Sequence, residues 1–314
     1  MVFMGTPEFA VPSLKILLEN NYEVVAVITA PDKPAGRGMH LHESAVKKFA
    51  QENKLNILQP EKLKSPEFAE QLRTLKPDLQ VVVAFRMLPE VIWKMPRIGT
   101  FNLHASLLPK YRGAAPINWA IINGEKETGA TTFFLEHEID TGKIILQQKI
   151  NIADNETAGE LHDALMLAGA ALVLKTVQLI EAGNYSLTPQ TLSAEIKSAP
   201  KLFTETCRIN WNNSAHQIHN LIRGLSPYPA AFTKLNGKTV KIFRSQKFII
   251  PNSQLTNNSP GEIITDGKTY LRIQCAGGLL EILELQLEGK KKINTEEFLR
   301  GFRFTSENSK CEIF

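Results

Sequence analysis

Two polar side chains with complementary chemistry stand two residues apart in the segment F-N-L-H-A-S-L-L-P-K-Y-R-G, residues 101–113. Asn102 and His104 fall at the end of a short β-rich run, and alternate residues of a strand face the same side. An amide N–H can bind a developing oxyanion, and an imidazole can stabilise charge or carry a proton. The pair suits acyl transfer, although polar residues at a strand end can also serve only the backbone of the next loop.

A third polar group, Asp140, stands in E-H-E-I-D-T-G after a predicted strand at residues 131–135. A carboxylate at this point could orient His104 and raise its basicity, as the third member of a catalytic triad does. Aspartate before Thr-Gly is also an ordinary turn residue. Spacing alone leaves both interpretations open.

The loop A-P-D-K-P-A-G-R-G-M-H-L, residues 30–41, is long, basic and rich in proline and glycine. It carries Lys33, Arg37 and His40 and follows a predicted strand, so it should lie at the edge of the sheet where parallel sheets bind ligands. Ordinary connections are shorter. The loop is therefore predicted to contact a ligand.

Other patterns exclude whole classes of function. The turn G-T-P-E at residues 5–8 is not G-x-G-x-x-G, and Pro7 lacks the N–H that a phosphate-binding turn needs. The chain has no Walker A sequence. His216 and His219 lack a nearby Cys or Glu, so no metal is expected.

The three cysteines are far apart and form no C-x-x-C, which argues against a disulfide framework and for a reducing, cytoplasmic location. No uninterrupted apolar run reaches the length of a membrane span, so no membrane partner is expected. The oligomeric state is not determined by the sequence, and a monomer is expected.

Alternating β-rich and helical stretches in the first half predict an α/β fold with a mostly parallel sheet. Strands are predicted at residues 1–4, 24–29, 79–84, 100–104 and 131–135, and Thr6-Pro7 predicts the start of the first helix. A long helix is predicted at 157–183. We expect domains at 1–185 and 207–314, joined by a linker at 186–206.

The C-terminal part shows short alternating runs separated by turn signals, after a predicted helix at 214–224. This spacing predicts a small β-barrel or sandwich. Residues 201–314 hold 16 Lys+Arg against 10 Asp+Glu, a net of +6, whereas residues 1–200 carry a net of −2. A basic part beside a neutral one favours a polyanionic partner, and Lys290-Lys291-Lys292 is either a phosphate contact or a solvated turn.

The segment F-N-L-H-A-S-L-L-P-K-Y-R-G-A-A-P-I-N-W, followed by I-D-T-G-K-I, closely resembles the folate-dependent formyltransferase superfamily. The opening M-G-T-P-E-F-A-V-P, the loop A-P-D-K-P-A-G-R-G and the basic C-terminal part are similar to members whose acceptor is methionyl-tRNA. The resemblance implies a Rossmann-like catalytic domain followed by an OB-like β-barrel that helps to hold tRNA. It implies 10-formyltetrahydrofolate as co-substrate and the α-amino group of methionyl initiator tRNA as acceptor, with no metal.

The resemblance also implies roles for individual residues. Asn102, His104 and Asp140 match the catalytic trio, which reverses the turn interpretation of Asp140. Arg37 matches an arginine associated with the acceptor arm and the methionyl end. The tetrahydrofolate-contacting segment, in which the Leu108–Pro109 bond is a candidate cis bond, corresponds to Ser106, Leu107, Leu108 and Pro109.

Other functions remain to be distinguished. A sugar-nucleotide formyltransferase shares the same core, and a formyltetrahydrofolate hydrolase could use the same trio. Glycinamide ribonucleotide formyltransferases resemble only the first part. A non-catalytic tRNA-binding protein would fit the basic C-terminal part but would not need the trio.

Overall fold

The structure is a computed structural model that describes residues 1–35, 40–191, 196–248, 259–305 and 309–312. The eight helices of the described residues are α1 Val11–Glu19, α2 Ala45–Glu52, α3 Pro66–Thr74, α4 Glu90–Trp93, α5 Pro116–Ile122, α6 Ala158–Glu181, α7 Ala215–Leu225 and α8 Thr295–Gly301. The first eleven strands are β1 Val2–Gly5, β2 Ala26–Ile28, β3 Lys33–Ala35, β4 His40–His42, β5 Ile57–Leu58, β6 Leu79–Val83, β7 Gly99–His104, β8 Arg112–Gly113, β9 Glu127–Phe134, β10 Ile144–Asn151 and β11 Ser198–Ala199. The remaining strands are β12 Ala231–Leu235, β13 Lys238–Phe248, β14 Ile263–Thr265, β15 Leu271–Cys275, β16 Gly278–Leu287 and β17 Ile293–Asn294.

A seven-stranded sheet in the order β10-β9-β7-β6-β1-β2-β5 forms the N-terminal part. Its five central and edge strands β7, β6, β1, β2 and β5 are parallel, and β9 runs antiparallel to β7. The parallel strands are almost wholly buried, as expected for continuous apolar runs covered on both faces. The α/β fold with a mostly parallel sheet is confirmed, and it brings the carboxyl end of β7 to the ligand-binding edge.

The first helix begins later than Thr6-Pro7 predicts. A 3-10 turn at Glu8–Ala10 comes first, and α1 begins at Val11 with a proline in its first turn. The Thr6 hydroxyl is buried without a hydrogen-bond partner among the described residues, so it does not cap the helix. Serine caps start α2 and α3 instead, where Ser44 and Ser65 each accept a main-chain N–H of the first turn.

Helix α6 is long and apolar enough to cross a membrane by length and composition alone. Core helices of globular proteins pass the same test when their apolar side chains are covered by protein. In α6 six apolar side chains are buried, namely Leu161, Leu165, Leu172, Val173, Val177 and Ile180, whereas Leu167 is 64% exposed.

The chain forms two compact units, each made of three separate sequence segments. The first comprises residues 1–113, 128–151 and 162–198, and the second comprises 114–127, 152–161 and 199–314. The predicted boundaries 1–185, 186–206 and 207–314 place the two short segments in the first domain, whereas packing groups them with the C-terminal part. Part of the predicted linker also pairs within the first unit, since Thr188 exchanges two backbone hydrogen bonds with Ile144, both 2.9 Å long.

The second unit is built on an antiparallel sheet in the order β12-β13-β16-β15-β14, with β17 paired to β16. The C-terminal part, for which the sequence predicts a small β-barrel or sandwich, is thus an antiparallel sheet domain. Its core surrounds the fully buried Trp211, whose indole N–H donates to Thr233 Oγ1 at 3.0 Å. Helix α7 packs Ile218, Ile222 and Leu225 into the same core, and Ser214 and Gln217 form a capping box at its start.

Helix α7 also explains why the two short segments belong to the second unit. The Asn118 amide of α5 donates to the Gly224 carbonyl at 2.8 Å, and Ile122 packs against the core around Trp211. Arg223 is only 4% exposed, and its Nη1 donates to the carbonyls of Ala153 (3.3 Å) and Glu156 (3.1 Å). Burial lowers the pKa of Arg223 below that of a free guanidinium.

Arg223→Ala should destabilise the protein, because it leaves buried carbonyls without their donor and removes the packing of the guanidinium. The expected loss is about 1–3 kcal/mol in the free energy of unfolding. Urea unfolding followed by fluorescence measures it. Arg300→Ala, which removes an exposed arginine of α8 in the same unit, should change stability by less than about 0.5 kcal/mol. Equal midpoints for the two variants would show that the contacts of Arg223 contribute nothing.

Candidate active site

Strand β7 brings the first two predicted residues to one face. Asn102 and His104 lie two apart on it, paired with β6 on one side and β9 on the other. His104 is the last residue of the strand and is only 7% exposed, while Asn102 is half-buried. The amide and the imidazole therefore leave the sheet together at the carboxyl end of β7, as the sequence predicts.

The ring of His104 is held by a main-chain group. Its Nε2 lies 2.8 Å from the carbonyl oxygen of Tyr111, and because a carbonyl only accepts, Nε2 carries the proton. Nδ1 then faces the Asp140 carboxylate, with Oδ2 at 3.8 Å. At this separation the two atoms do not form a hydrogen bond. The carboxylate thus faces His104, but the Tyr111 carbonyl orients the ring.

The Asp140 carboxylate is held in place by the main chain of the 111–113 loop. Its side chain is 12% exposed, and the Gly113 N–H donates to Oδ2 at 2.9 Å. The same oxygen atom is the one that faces His104 Nδ1. Asp140 has a φ of 56°, in the left-handed region that aspartate tolerates better than most residues.

The glycine of D-T-G is required by a close approach of two backbones. A Cβ at Gly142 would lie 1.7 Å from the Phe134 carbonyl oxygen, which no side chain permits. The chain returns along β9 at this point, since the Phe134 N–H donates to the Lys143 carbonyl at 3.1 Å. The Asp140 turn is thereby tied to the end of the strand next to β7.

The segment predicted to contact folate is held by side chains of the neighbouring strands β9 and β10. Thr131 Oγ1 accepts the Leu108 N–H and donates to the Ser106 carbonyl at 2.6 Å, and the Gln147 amide donates to the Leu108 carbonyl at 2.9 Å. The Leu108–Pro109 bond is cis. Ser106 is buried, and its hydroxyl donates to the Lys110 carbonyl at 2.6 Å.

These contacts bear on how residues 106–109 could meet a ligand. The side chains of Ser106 and Leu108 are covered by protein, whereas Leu107 and Pro109 are half-buried. Contact with folate through this segment therefore falls to its main chain and to the two half-buried side chains. Such contact remains a prediction.

An open cavity of about 530 Å³ adjoins the Asp140 turn. Its lining includes Trp93, Lys94, His137 and Thr141, the residue after Asp140. Lys94 Nζ lies 5.4 Å from the centre of the Trp93 ring, and the His137 ring meets that ring edge-on at 5.7 Å. The lining also includes the carboxylates of Glu136 and Glu138. The volume is in the range of small-molecule sites, and the aromatic face of Trp93 among hydrogen-bonding groups suits a flat heterocycle.

Arg37 lies outside the described residues, but both flanks of its loop are described. Lys47 Nζ pairs with Asp32, which precedes the arginine, and with Glu43, which follows it, at 2.8 Å from Glu43 Oε1. The lysine holds the pKa of the Asp32 carboxyl below its ordinary value. One ammonium group therefore binds both ends of the segment that carries Arg37.

Sequence reasoning missed the main-chain groups of the site. The carbonyl of Tyr111 contacts His104 and the N–H of Gly113 contacts Asp140, yet every residue except proline carries both groups, so no sequence signal marks them. Gln190, which donates to the Asp140 and Gly142 carbonyls, lies in the stretch that the sequence predicts to be a linker because its surroundings show no periodicity.

Known proteins resemble the chain along its whole length. A model of the family described as formyl transferase matches residues 1–177, and one described as formyl transferase, C-terminal domain, matches residues 201–303. The methionyl-tRNA formyltransferase of Bacteroides fragilis is 54% identical over 313 residues, covering 97% of this chain and 95% of the relative. That of Flavobacterium johnsoniae is 50% identical over 311 residues, covering 98% and 97%.

Among solved structures, an N-formyltransferase from Helicobacter canadensis in complex with folinic acid and dTDP-3-aminofucose shares the fold. Its TM-score is 0.68 at 24% identity, covering 93% of this chain and all of that one. At this identity the likeness concerns architecture alone. The two family models and the high identity over nearly full length establish that the chain belongs to the formyl transferase family.

Proposed function

We propose that this enzyme transfers the formyl group of 10-formyltetrahydrofolate to the α-amino group of methionyl initiator tRNA. The observation that carries the proposal is the convergence of Asn102, His104 and Asp140 at one edge of the sheet, in a chain about half identical to methionyl-tRNA formyltransferases. Formyl transfer to an amine needs a group that stabilises an oxyanion and a group that accepts a proton. The trio supplies both.

The proton chemistry follows from the orientation of His104. Since Nε2–H is bound to the Tyr111 carbonyl, the nitrogen that can accept a proton is Nδ1. The amine loses a proton as it attacks the formyl carbon, and that proton passes to Nδ1 directly, or through Asp140 and water. The resulting imidazolium is stabilised by the Asp140 carboxylate and can return the proton to the departing nitrogen of the folate.

Charge develops on the formyl oxygen during this attack. The half-buried Asn102 amide shares a face of β7 with His104 and can donate a hydrogen bond to that oxygen. An imidazolium at His104 adds a positive charge on the same face. In a site that excludes water, both interactions are stronger than they would be in solution.

The residues around the cavity fit a folate co-substrate. When bound, folate supplies the activated formyl carbon. Trp93 offers an aromatic face to the ring of the folate. The side chains of Lys94, Glu136, His137 and Glu138 offer hydrogen-bonding groups, and Thr141 places the cavity beside Asp140. Residues 106–109 are proposed to contribute main-chain contacts on the β7 side of the site.

The tRNA partner is supported by charge and by the relatives. Residues 201–314 carry a net charge of +6, and exposed Lys290 and Lys291 lie at the turn between β16 and β17. Lysines at such a turn can contact phosphates. A sugar-nucleotide acceptor, the alternative on the same core, has only distant structural neighbours in its favour.

The test is an assay with 10-formyltetrahydrofolate and either charged initiator tRNA or an amino-sugar nucleotide. Formyl-methionine should form on the tRNA, and the sugar nucleotide should remain unmodified. Formylation of the sugar nucleotide alone, or release of formate alone, would replace the proposal with the transferase or hydrolase alternative.

Replacing Asn102, His104 or Asp140 by alanine should lower kcat by about 10²–10³ with little change in KM, because each acts mainly in the transition state. Pairs of substitutions should lose little more than the worse single one, since the groups act as a unit. Steady-state kinetics for both substrates give the measurement. Glu52→Ala, which removes an exposed carboxylate at the end of α2, is the control. Losses that multiply would contradict a cooperating trio.

Arg37→Ala should weaken the use of methionyl-tRNA while leaving folate binding intact. A guanidinium between two glycines can reach a phosphate near the acceptor end, and Arg37→Lys should rescue poorly if that contact is bidentate. Folate binding by fluorescence and tRNA formylation are compared in the same preparations. Arg73→Ala, which removes an exposed arginine of α3, should affect neither. A parallel collapse of folate binding would assign the loop to the folate site instead.

A further inference from the structure

A short stretch after α6 runs back to the catalytic turn. The two backbone hydrogen bonds between Thr188 and Ile144 form an isolated antiparallel bridge at the start of β10. Ile144 comes two residues after Gly142, so the bridge brings the stretch alongside the turn that carries Asp140. Gln190, two residues after Thr188, is half-buried at this point.

The side-chain amide of Gln190 joins two separate loops. Its Nε2 donates to the carbonyl oxygen of Asp140 at 2.9 Å and to that of Gly142 at 2.8 Å. Its Oε1 accepts from Arg112, at 3.1 Å from Nε and 2.6 Å from Nη2. Both amide hydrogens and the amide oxygen are thereby engaged, and the contact with the guanidinium is charge-assisted.

The two loops are those that set the geometry of the trio. Arg112 lies between Tyr111, whose carbonyl binds His104 Nε2, and Gly113, whose N–H binds Asp140 Oδ2. Asp140 itself has the left-handed backbone conformation. Such a conformation persists in a non-glycine residue when its surroundings hold it, and the Gln190 amide binds the carbonyls on both sides of Thr141.

We propose that Gln190 is a positioning residue that holds the Asp140 turn and the 111–113 loop at the separation formyl transfer requires. It contacts no reacting atom and acts through Asp140 and His104. The proposal rests on the proposed function for its kinetic test. It adds to the trio a residue from a stretch that the sequence assigns to a linker.

The first variant is Gln190→Met, which keeps the length of the side chain and removes all four hydrogen bonds. We expect kcat for formyl transfer to fall by about 10–100-fold, since a small displacement of catalytic groups has effects of this size. KM for folate and for methionyl-tRNA should not change. Gln178→Ala, which removes an exposed glutamine of α6, should behave as the unaltered enzyme.

A second variant keeps the test valid if Gln190→Met does not fold. Gln190→Glu retains an acceptor for Arg112 but cannot donate to the carbonyls of Asp140 and Gly142. We expect its kcat to fall as well, because the Asp140 turn is held by the two hydrogen bonds that this variant cannot donate. Full activity in Gln190→Glu would overturn the proposal.

The Asp140→Ala background separates positioning from a general effect on folding. If Gln190 acts through Asp140, Gln190→Met should lower the residual rate much less in this background than in the unaltered enzyme. An equal fold-loss in both backgrounds would show that Gln190 acts independently of Asp140 and would overturn the proposal.

One further readout does not depend on the acceptor. The His104 imidazole signals in NMR spectra should shift in Gln190→Met and remain in place in Gln178→Ala. Unchanged signals would overturn the positioning role whatever the substrate. Shifted signals in an enzyme that does not formylate methionyl-tRNA would instead overturn the proposed function and leave the positioning role standing.

Discussion

The hydrogen bond from the Gly113 N–H to the Asp140 carboxylate joins two loops that leave different strands of the sheet. One loop follows β7 and contributes the Tyr111 carbonyl, and the other follows β9 and contributes the carboxylate. The His104 ring lies between them, with Nε2 against the Tyr111 carbonyl and Nδ1 facing the Asp140 carboxylate. The proposed proton transfer depends on this junction, because the loop after β7 orients the imidazole that accepts the proton and the loop after β9 carries the carboxylate that stabilises it.

Main-chain groups are well suited to holding the side chains of His104 and Asp140 in position. An N–H or a carbonyl in a tightly packed loop cannot rotate away, so it sets the position of a side chain more rigidly than another side chain would. The requirement for glycine at position 142 has the same origin, since the Phe134 carbonyl occupies the space of a Cβ. The network beneath residues 106–109, built on Thr131 and Gln147, extends this rigidity to the side of the site proposed for folate.

The second unit uses buried polar groups for a different purpose. Arg223 of α7 donates hydrogen bonds to carbonyls of residues 152–161, and the Asn118 amide of α5 donates to the Gly224 carbonyl of α7. Burying a guanidinium is costly unless it is fully hydrogen-bonded, so these contacts commit residues 114–127 and 152–161 to the C-terminal sheet. The two units are consequently interleaved along the chain rather than separated by one boundary.

Much of the molecule was determined by local patterns in the sequence. Apolar runs of strand length set the parallel sheet, alternation set the antiparallel sheet, and the spacing of Asn102 and His104 placed both on one face of β7. These predictions succeed because hydrophobic periodicity and strand alternation act over a few residues. The predicted start of α1 is wrong by several residues, because a 3-10 turn precedes the helix and leaves Thr6 without a capping role.

Tertiary structure alone decided the rest. The tautomer of His104 follows from the Tyr111 carbonyl, and the contacts of Gln190 follow from a bridge between residues 144 and 188. Spacing left the role of Asp140 open, and only folding brought its carboxylate to within 3.8 Å of the His104 ring. The physical reason is that backbone groups are the same at every residue, so their partners depend on which loops the fold brings together and leave no mark in the sequence.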